Sequence, residues 1–207
     1  AIVGNSIPIG VGLALASKIR KKKQISFVFF GDGAIEEGVF YESINFATVK
    51  KLPVIFICEN NLYSVYSPMS VRQPKKRSIH KMVKAMGPES LVCDGNDVVS
   101  VYKTLKKAVM HVKKGRGPFF LEFMTYRWLE HCGPYFDNDI GYRSKKEFEK
   151  WVKKEPIKRL KSKLNNKFLK QLDKIHSSTK KEINKAFEFA EKSPFPKESD
   201  AYKGVYA

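Results

Sequence analysis

Two short polar motifs in this sequence combine residue types that can bind a divalent cation and phosphate groups. Asp32 stands between Gly31 and Gly33 directly after an apolar run, and the pair Asn60-Asn61 follows a second apolar run. Magnesium prefers oxygen ligands and is commonly held by one or two protein groups together with phosphates and water. Glycines allow the backbone to approach phosphate oxygens and to present N–H donors to them. The two motifs therefore predict a site for a magnesium-bound diphosphate.

Each motif alone could be an ordinary tight turn, since Gly, Asp and Asn are common turn residues. Together they differ, because a GDG that closes one strand and an NN that closes the next, about 30 residues from end to end, is a signature of thiamine diphosphate enzymes. The other glycine motif, Gly10-x-Gly12, lacks a third glycine and does not follow a strand. We therefore exclude a dinucleotide-binding fingerprint there.

The elements that must position these motifs form a β-α-β unit. Residues 25–30 and 53–58 are continuous apolar runs, which predict strands covered on both faces of a parallel sheet. Residues 36–51 between them have apolar residues at helical spacing. Because ligands bind outside the carboxyl ends of parallel strands, Asp32 and Asn61 are expected to meet at the same edge of the sheet.

The remaining pattern predicts an α/β fold, a mainly parallel sheet with helices on both faces, followed by a helical C-terminal region. A helix with one closely packed face is expected in residues 4–20, and a second crossover consists of a helix at 98–113 and a strand at 119–125. Residues 63–88 lack clear periodicity and are predicted to be a long loop with a short helix near 79–85, followed by a short strand at 91–93; residues 131–142 are predicted to be a loop.

The C-terminal third contains two sequence patterns that are typical of helix N-termini. Ser144 and Thr179 are each followed three residues later by a glutamate, which is the capping-box pattern. We predict a thiamine diphosphate-binding α/β domain in residues 1–143, whose N-terminal part is missing, a helical extension in 144–192 and an extended tail in 193–207. The abrupt apolar start of the sequence suggests a fragment.

Composition limits the function classes. The formal charge of +18 would suit nucleic acid, but the lysines occur as doublets and triplets without interleaved aromatic residues, so a solvated surface is the better interpretation. The three cysteines form no C-x-x-C pair, which argues against a disulfide framework and a zinc site. No apolar run approaches the length of a membrane span, and no signal peptide is recognisable. A cytoplasmic protein that does not bind membranes is expected.

Four stretches together identify a family resemblance: AIVGNSIPIGVGLALASK, FFGDGAIEEGVFYESINFATVKKLPVIFICENNLYSV, KKGRGPFFLEFMTYR and SPFPKESDAYKGVYA. They resemble the alpha subunit of the decarboxylating component of 2-oxo acid dehydrogenase complexes, which pyruvate, branched-chain 2-oxo acid and acetoin dehydrogenases share. The resemblance covers essentially the whole chain but only the later part of that subunit. The earlier part would supply further cofactor contacts, including a Tyr-Arg pair on the diphosphate.

The resemblance implies a role for each matching position. Asp32 and Asn61 match the side-chain magnesium ligands, and Tyr63 matches a residue whose backbone carbonyl binds the same ion. Further cofactor contacts are implied for the diphosphate-facing backbone and for the positions near the aminopyrimidine ring: Gly33 and Ala34 for the former, Ala1 and Val3 for the latter. The family usually has Gly at the position of Ala1.

His131 follows Tyr126-Arg127 and matches a family histidine, which implies contact with the cofactor and a catalytic role. Imidazole can donate to a phosphate or carry a proton near neutral pH. The family's HGHS-x-S-D-P loop is replaced here by LEHCGPYFDNDIGYR, so phosphorylation is not expected at Cys132.

Two other candidates are weaker. A nucleophilic pair of His131 and Cys132 is disfavoured, because adjacent residues in an extended segment point apart. Glu36 and Glu37 could be acid–base residues, but acids in the first turn of a helix more often stabilise its dipole.

The resemblance implies oxidative decarboxylation of a 2-oxo acid, pyruvate in the first instance, with acyl transfer to a lipoyl group. The cofactors would be thiamine diphosphate and Mg2+. The partners would be a beta subunit that supplies the activating glutamate in an α2β2 assembly, and a lipoyl-bearing acyltransferase. The alternatives are acetoin dehydrogenase or another thiamine diphosphate enzyme, a basic nucleic-acid-binding module, and a non-catalytic scaffold subunit.

Overall fold

The computed structural model describes residues 2–205. They divide into two units, the first ending at Leu160 and the second beginning at Lys161. The division into three segments predicted from the sequence stays a prediction.

A four-stranded parallel sheet forms the centre of the first unit. Its strand order is β1-β2-β6-β5. Between β2 and β5 in the sequence lies an antiparallel hairpin whose strands, β3 and β4, have two residues each. The strands are β1 (Ser26–Gly31), β2 (Val54–Asn60), β3 (Tyr63–Ser64), β4 (Ser67–Pro68), β5 (Glu89–Asp94) and β6 (Phe119–Met124). The predicted parallel β-α-β unit is confirmed, with Val28 of β1 opposite Phe56 of β2.

Helices cover both faces of this sheet, as the fold class predicted. The helices are α1 (Ser6–Ile19), α2 (Gly38–Val49), α3 (Met69–Arg72), α4 (Ile79–Ala85), α5 (Val98–Lys113), α6 (Lys145–Val152), α7 (Pro156–Lys161) and α8 (Asn166–Lys192). Side chains of β1, β2 and β6 pack against α1, α2 and α4 in one cluster, and alternate side chains of β2 and β6 pack against α5 in another. This alternation is the period-two pattern of strands that are buried on both faces.

The edge strand β1 differs from the prediction that both of its faces are covered. Val28 and Phe30 are buried, whereas Phe27 is 45% exposed and Phe29 is 56% exposed. The physical reason is topological: β1 lies at the edge of the sheet, and α5 packs on β2, β5 and β6.

Close packing of α1 on the sheet is confirmed and depends on a glycine. A β-carbon on Gly10 would lie 2.1 Å from Cγ2 of Val28, so only glycine permits this approach. The helix begins at Ser6, before Pro8, because a proline in the first turn removes no intrahelical hydrogen bond.

The C-terminal helices confirm one of the two predicted starts. Ser144 caps α6, and its hydroxyl accepts a hydrogen bond from the backbone N–H of Glu147 at 3.1 Å. Thr179 caps nothing, because α8 continues through it and is capped instead by Asn165. No proline or glycine interrupts α8, so nothing ends the helix before Thr179.

The second unit contains α8 and a short 3-10 helix at Glu198–Tyr202, within the segment predicted to be an extended tail. No residue of α8 is buried. Among the residues that the structure describes, no helix combines the length and the apolarity that crossing a bilayer requires.

Candidate functional site

Asp32 and Asn61 lie next to each other at the carboxyl ends of neighbouring strands. Asp32 begins a 3-10 helix directly after β1, and Asn61 follows β2. The backbone N–H of Asn61 donates to Oδ1 of Asp32 at 3.3 Å, and the Asp32 side chain is 1% exposed. The expectation that parallel strands bring both residues to one edge is therefore confirmed.

Two consecutive side-chain turns shape the segment after β2. Oδ1 of Asn60 accepts from the backbone N–H of Leu62 at 3.0 Å, and Oδ1 of Asn61 accepts from that of Tyr63 at 2.9 Å. Leu62 adopts a left-handed conformation with φ of 74°, which the two turns support. The backbone of this segment is thus fixed by the asparagine side chains.

The strand pairing leaves the Tyr63 carbonyl outside the hydrogen bonds of the β3–β4 hairpin. Leu62 accepts a hydrogen bond from Met69, while Tyr63 pairs with Pro68, which has no N–H to donate. Because hydrogen-bonded and non-hydrogen-bonded pairs alternate along an antiparallel ladder, the Tyr63 carbonyl points away from β4. The Tyr63 hydroxyl donates a hydrogen bond to Oε2 of Glu147 at 2.6 Å. Burial, together with this contact, raises the pKa of Tyr63.

Gly33 and Ala34 form the next part of the same 3-10 helix, and Ala34 is buried. A β-carbon on Gly33 would lie 2.7 Å from Oγ of Ser64, so any other residue here would require the Ser64 side chain to move. This close approach gives a physical reason for the second glycine of the motif.

The donor set suits magnesium better than zinc. Residues 2–205 contain no group of three or more His, Cys, Asp or Glu side chains that could hold a metal ion. The ligands predicted from the sequence are one carboxylate, one amide oxygen and one backbone carbonyl, from Asp32, Asn61 and Tyr63; the structure shows that the carboxylate is buried. Such oxygen donors, completed by phosphates and water, fit the preferences of Mg2+.

Sequence reasoning missed an arginine beside Asp32. The guanidinium of Arg72 at the end of α3 forms a close ion pair with Oδ2 of Asp32, and its Nη1 lies 2.5 Å from Oε1 of Glu36. Gln73 also donates to Glu36 at 3.1 Å. No periodicity marks the segment around Arg72, and no sequence signal places this residue beside Asp32.

The interpretation of Glu36 as a helix-dipole residue was wrong. Glu36 ends the 3-10 helix, and α2 begins two residues later at Gly38. Its carboxylate is directed to Arg72 and Gln73 instead of a helix terminus. A 3-10 turn satisfies the backbone of residues 32–36 and leaves the side chain free to bind the loop.

A second missed residue is Glu122 in the central strand β6. It is 5% exposed, accepts from Nδ2 of Asn60 at 2.7 Å and accepts from the backbone N–H of His80 at 3.1 Å. The signal was present in the sequence, because an acid within the apolar run FFLEFM must be paired if it is buried. Glu122 connects the strand end that carries Asn61 to α4.

The other predicted contacts lie farther from this centre. Val3 is 56% exposed in a turn, and the adjacent Gly4 lies against Glu37 and Val39 at the start of α2. Ala1 lies outside the described residues. His131 is exposed, and the described residues give it no hydrogen bond or ion pair. The roles predicted for these three residues stay predictions.

The loop that carries His131 is nevertheless firmly held. Asp137 and Arg143 form a buried ion pair, and Arg143 donates to the carbonyl of Arg127 at 2.6 Å. Burial opposes ionisation of Asp137, but hydrogen bonds from Tyr142 and Arg143 outweigh it and lower the pKa of this carboxyl. Arg127 also donates to the carbonyl of Val65 at 3.0 Å, which ties the loop to the β3–β4 hairpin.

Comparison with known proteins gives a consistent result. A model of the family described as Dehydrogenase E1 component matches residues 1–199. A pyruvate dehydrogenase E1 component subunit alpha from Rickettsia felis is 36% identical over 208 residues, which cover 99% of this chain and 63% of that protein. A 2-oxoisovalerate dehydrogenase subunit alpha from Bacillus subtilis is 35% identical over 209 residues and is covered to 62%. The chain therefore spans less than two thirds of the length of these relatives.

A solved structure from Mycobacterium smegmatis, assigned provisionally as a thiamin diphosphate-dependent enzyme, has the same fold. Its TM-score is 0.50 at 22% identity, and the match covers 61% of this chain and 22% of that one. At this identity the likeness concerns the fold alone.

Proposed function

The chain belongs to the Dehydrogenase E1 component family, and from that premise we propose that it serves in the alpha subunit of a thiamine diphosphate-dependent 2-oxo acid dehydrogenase. The reaction would be oxidative decarboxylation of a 2-oxo acid, with pyruvate favoured, and transfer of the acyl group to a lipoyl group. The observation that carries the proposal is the juxtaposition of Asp32 and Asn61, whose backbone N–H lies 3.3 Å from the Asp32 carboxylate.

The residues of this chain would hold the diphosphate end of the cofactor. Asp32, Asn61 and the carbonyl of Tyr63 would bind Mg2+, and the backbone of Gly33 and Ala34 would donate to the diphosphate. We place Ala1 and Val3 beside the aminopyrimidine ring. When bound, thiamine diphosphate supplies the nucleophilic carbon and the electron sink for decarboxylation.

His131 would act at the reacting end of the site. Its proposed role is to donate a proton or hydrogen bond to the cofactor or the substrate, which an imidazole can do near neutral pH. The ties from Arg127 to Val65 and from Arg143 to Arg127 support this role, because they hold the His131 loop against the hairpin that follows Asn61.

Partners would complete the enzyme. We propose a beta subunit that supplies the activating glutamate in an α2β2 assembly, a lipoyl-bearing acyltransferase as acceptor, and a cytoplasmic location. It follows that this chain is inactive by itself. Robust turnover by the purified chain without a beta subunit would contradict this part of the proposal.

The central test is cofactor binding by Asp32→Asn in the full-length subunit with its partner. We expect the affinity for thiamine diphosphate with Mg2+, measured by calorimetry, to fall by about 100-fold or more, because an amide cannot supply the carboxylate charge. Asp139→Asn, at an exposed loop position, is the matched control and should bind normally. Undiminished binding by a folded Asp32→Asn protein would refute the proposed site.

The substrate needs a separate assay, because one relative is named for pyruvate and another for 2-oxoisovalerate at nearly equal identity. Release of carbon dioxide from pyruvate or 2-oxoisovalerate would support a 2-oxo acid dehydrogenase. Formation of acetaldehyde from acetoin, without carbon dioxide, would favour the alternative of an acetoin dehydrogenase, in keeping with the divergent loop at residues 129–143.

A further inference from the structure

A cation of the chain itself already neutralises the carboxylate that would bind the metal. Arg72 is 10% exposed, and its guanidinium pairs with Oδ2 of Asp32 while Asn61 donates to Oδ1. Resting on the proposed function, we propose that Arg72 occupies the cation position beside Asp32 in the metal-free protein. Magnesium must displace this guanidinium, and Arg72 therefore sets the metal affinity of the site.

Competition follows from charge and burial. The Asp32 side chain is 1% exposed, so water screens its surroundings little, and two cations on one buried carboxylate repel each other strongly. Both carboxylate oxygens are already engaged, one by a backbone N–H and one by the arginine. A metal ion that takes Oδ2 as ligand therefore gains its full attraction only after Arg72 has moved.

The other contacts of Arg72 allow it to leave Asp32 while its charge stays paired. Its Nη1 pairs with Glu36 at 2.5 Å, and its Nε donates to the carbonyl of Ser67 at 3.1 Å. Glu36 is in turn held by Gln73 and remains 31% exposed. Glu36 can therefore keep the guanidinium paired in both states, and it determines how readily Arg72 leaves Asp32.

The position of Arg72 over the GDG segment agrees with this role. A β-carbon on Gly33 would meet Oγ of Ser64 at 2.7 Å and Nη1 of Arg72 at 3.8 Å. The arginine thus covers the same glycine whose backbone is proposed to contact the diphosphate. Displacement of Arg72 from Asp32 opens the metal position and leaves the guanidinium close to that segment.

The test is a titration of the full-length subunit, with its partner, by Mn2+ as a paramagnetic substitute for Mg2+, with the free ion measured by EPR. Arg72→Gln should bind Mn2+ about 10-fold more tightly than the native protein in the absence of cofactor. In this variant the metal-binding state, in which Asp32 is not paired with a guanidinium, is no longer a minor one. Glu36→Gln should bind Mn2+ more weakly, because Arg72 then keeps only Asp32 as an acidic partner. Arg77→Gln, at an exposed arginine of the same loop, should match the native affinity.

These opposite signs separate competition from a structural role, which would weaken metal binding in both variants. Unchanged or weaker Mn2+ binding by Arg72→Gln would overturn the inference. If Arg72→Gln does not fold, Arg72→Lys serves instead. Lysine keeps the charge but cannot contact Asp32 and Glu36 through two separate nitrogens, so Arg72→Lys should bind Mn2+ more tightly than the native protein. Failure of the native protein to bind Mn2+ or thiamine diphosphate would contradict the proposed function itself.

Discussion

At the scale of single residues, the candidate site depends on side chains that shape the backbone as much as on the proposed ligands. Glu122 is the only charged residue in β6, and its carboxylate receives hydrogen bonds from the Asn60 amide and the His80 backbone. Asn60 in turn holds the N–H of Leu62. A buried acid in the sheet therefore fixes the chain on both sides of Asn61.

Replacement of Glu122 by Gln tests this link. A glutamine has one acceptor oxygen, so its amide N–H2 must face either Asn60 or His80 and leaves a buried donor unsatisfied. We expect the free energy of unfolding in urea to fall by about 2–3 kcal/mol and thiamine diphosphate binding to weaken several-fold. Glu89→Gln is the control, because Glu89 is 53% exposed in its contact with Lys84 and should change stability by less than about 0.5 kcal/mol. Equal losses for both variants would disprove the link.

At the scale of elements, the sequence predicted the helices and strands that have a regular pattern of apolar residues. The bounds of α5 coincide with the predicted helix at 98–113, and β1, β2 and β6 were found where apolar runs occur. The β3–β4 hairpin was missed, because strands of two residues have no detectable period. The exposed face of β1 was missed because a residue pattern does not reveal which strand lies at an edge.

The same limit applies to the site. Asp32 and Asn61 could be paired in advance because two adjacent parallel strands must end at one edge. Arg72 could not be paired with Asp32, since the two are 40 residues apart and Arg72 lies in a segment without periodicity. Such contacts depend on how the loop packs, which local propensities do not determine.

The loop that carries His131 gains its order from one buried ion pair. Asp137 is 2% exposed and Arg143 is 5% exposed, and Arg143 donates to carbonyls of the Arg127-Trp128 segment. The rings of Tyr126 and Tyr142 lie 5.0 and 5.3 Å from the guanidinium. The arrangement predicts that the stability of this loop depends on the charge of Asp137.

The pH dependence follows from the lowered pKa of Asp137 in the folded protein. The stabilisation is fully present above the ordinary aspartate pKa of about 3.9, and it is lost as the pH falls through that value toward the lower folded pKa. We expect Asp137→Asn to be less stable by about 3 kcal/mol at pH 7, because Arg143 is left unpaired, and to lose less further stability on acidification. Urea unfolding at pH 7 and below pH 4 measures both effects. Asp139→Asn should follow the native curve, and a native slope in Asp137→Asn would count against this role.

At the scale of the whole molecule, the buried apolar residues belong to the first unit. All members of the two core clusters come before Leu160, and Phe120 at the centre of the sheet is 0% exposed. The helix α8 carries apolar residues at helical spacing, yet Phe168 is 48% and Phe187 is 67% exposed. Because burial is the main stabilising term, the free energy of unfolding should come almost entirely from the first unit.

A pair of phenylalanine truncations tests this distribution. Phe120→Ala removes a fully buried ring and should lower the free energy of unfolding by about 3–5 kcal/mol, whereas Phe187→Ala should change it by less than about 0.5 kcal/mol. Urea denaturation of the intact chain, followed by circular dichroism, gives both values on the same protein. A large loss for Phe187→Ala would mean that α8 buries this ring in solution. A small loss in both variants would mean that the sheet is not the stabilising centre, and the placement of Asp32 and Asn61 by neighbouring strands would lose its physical basis.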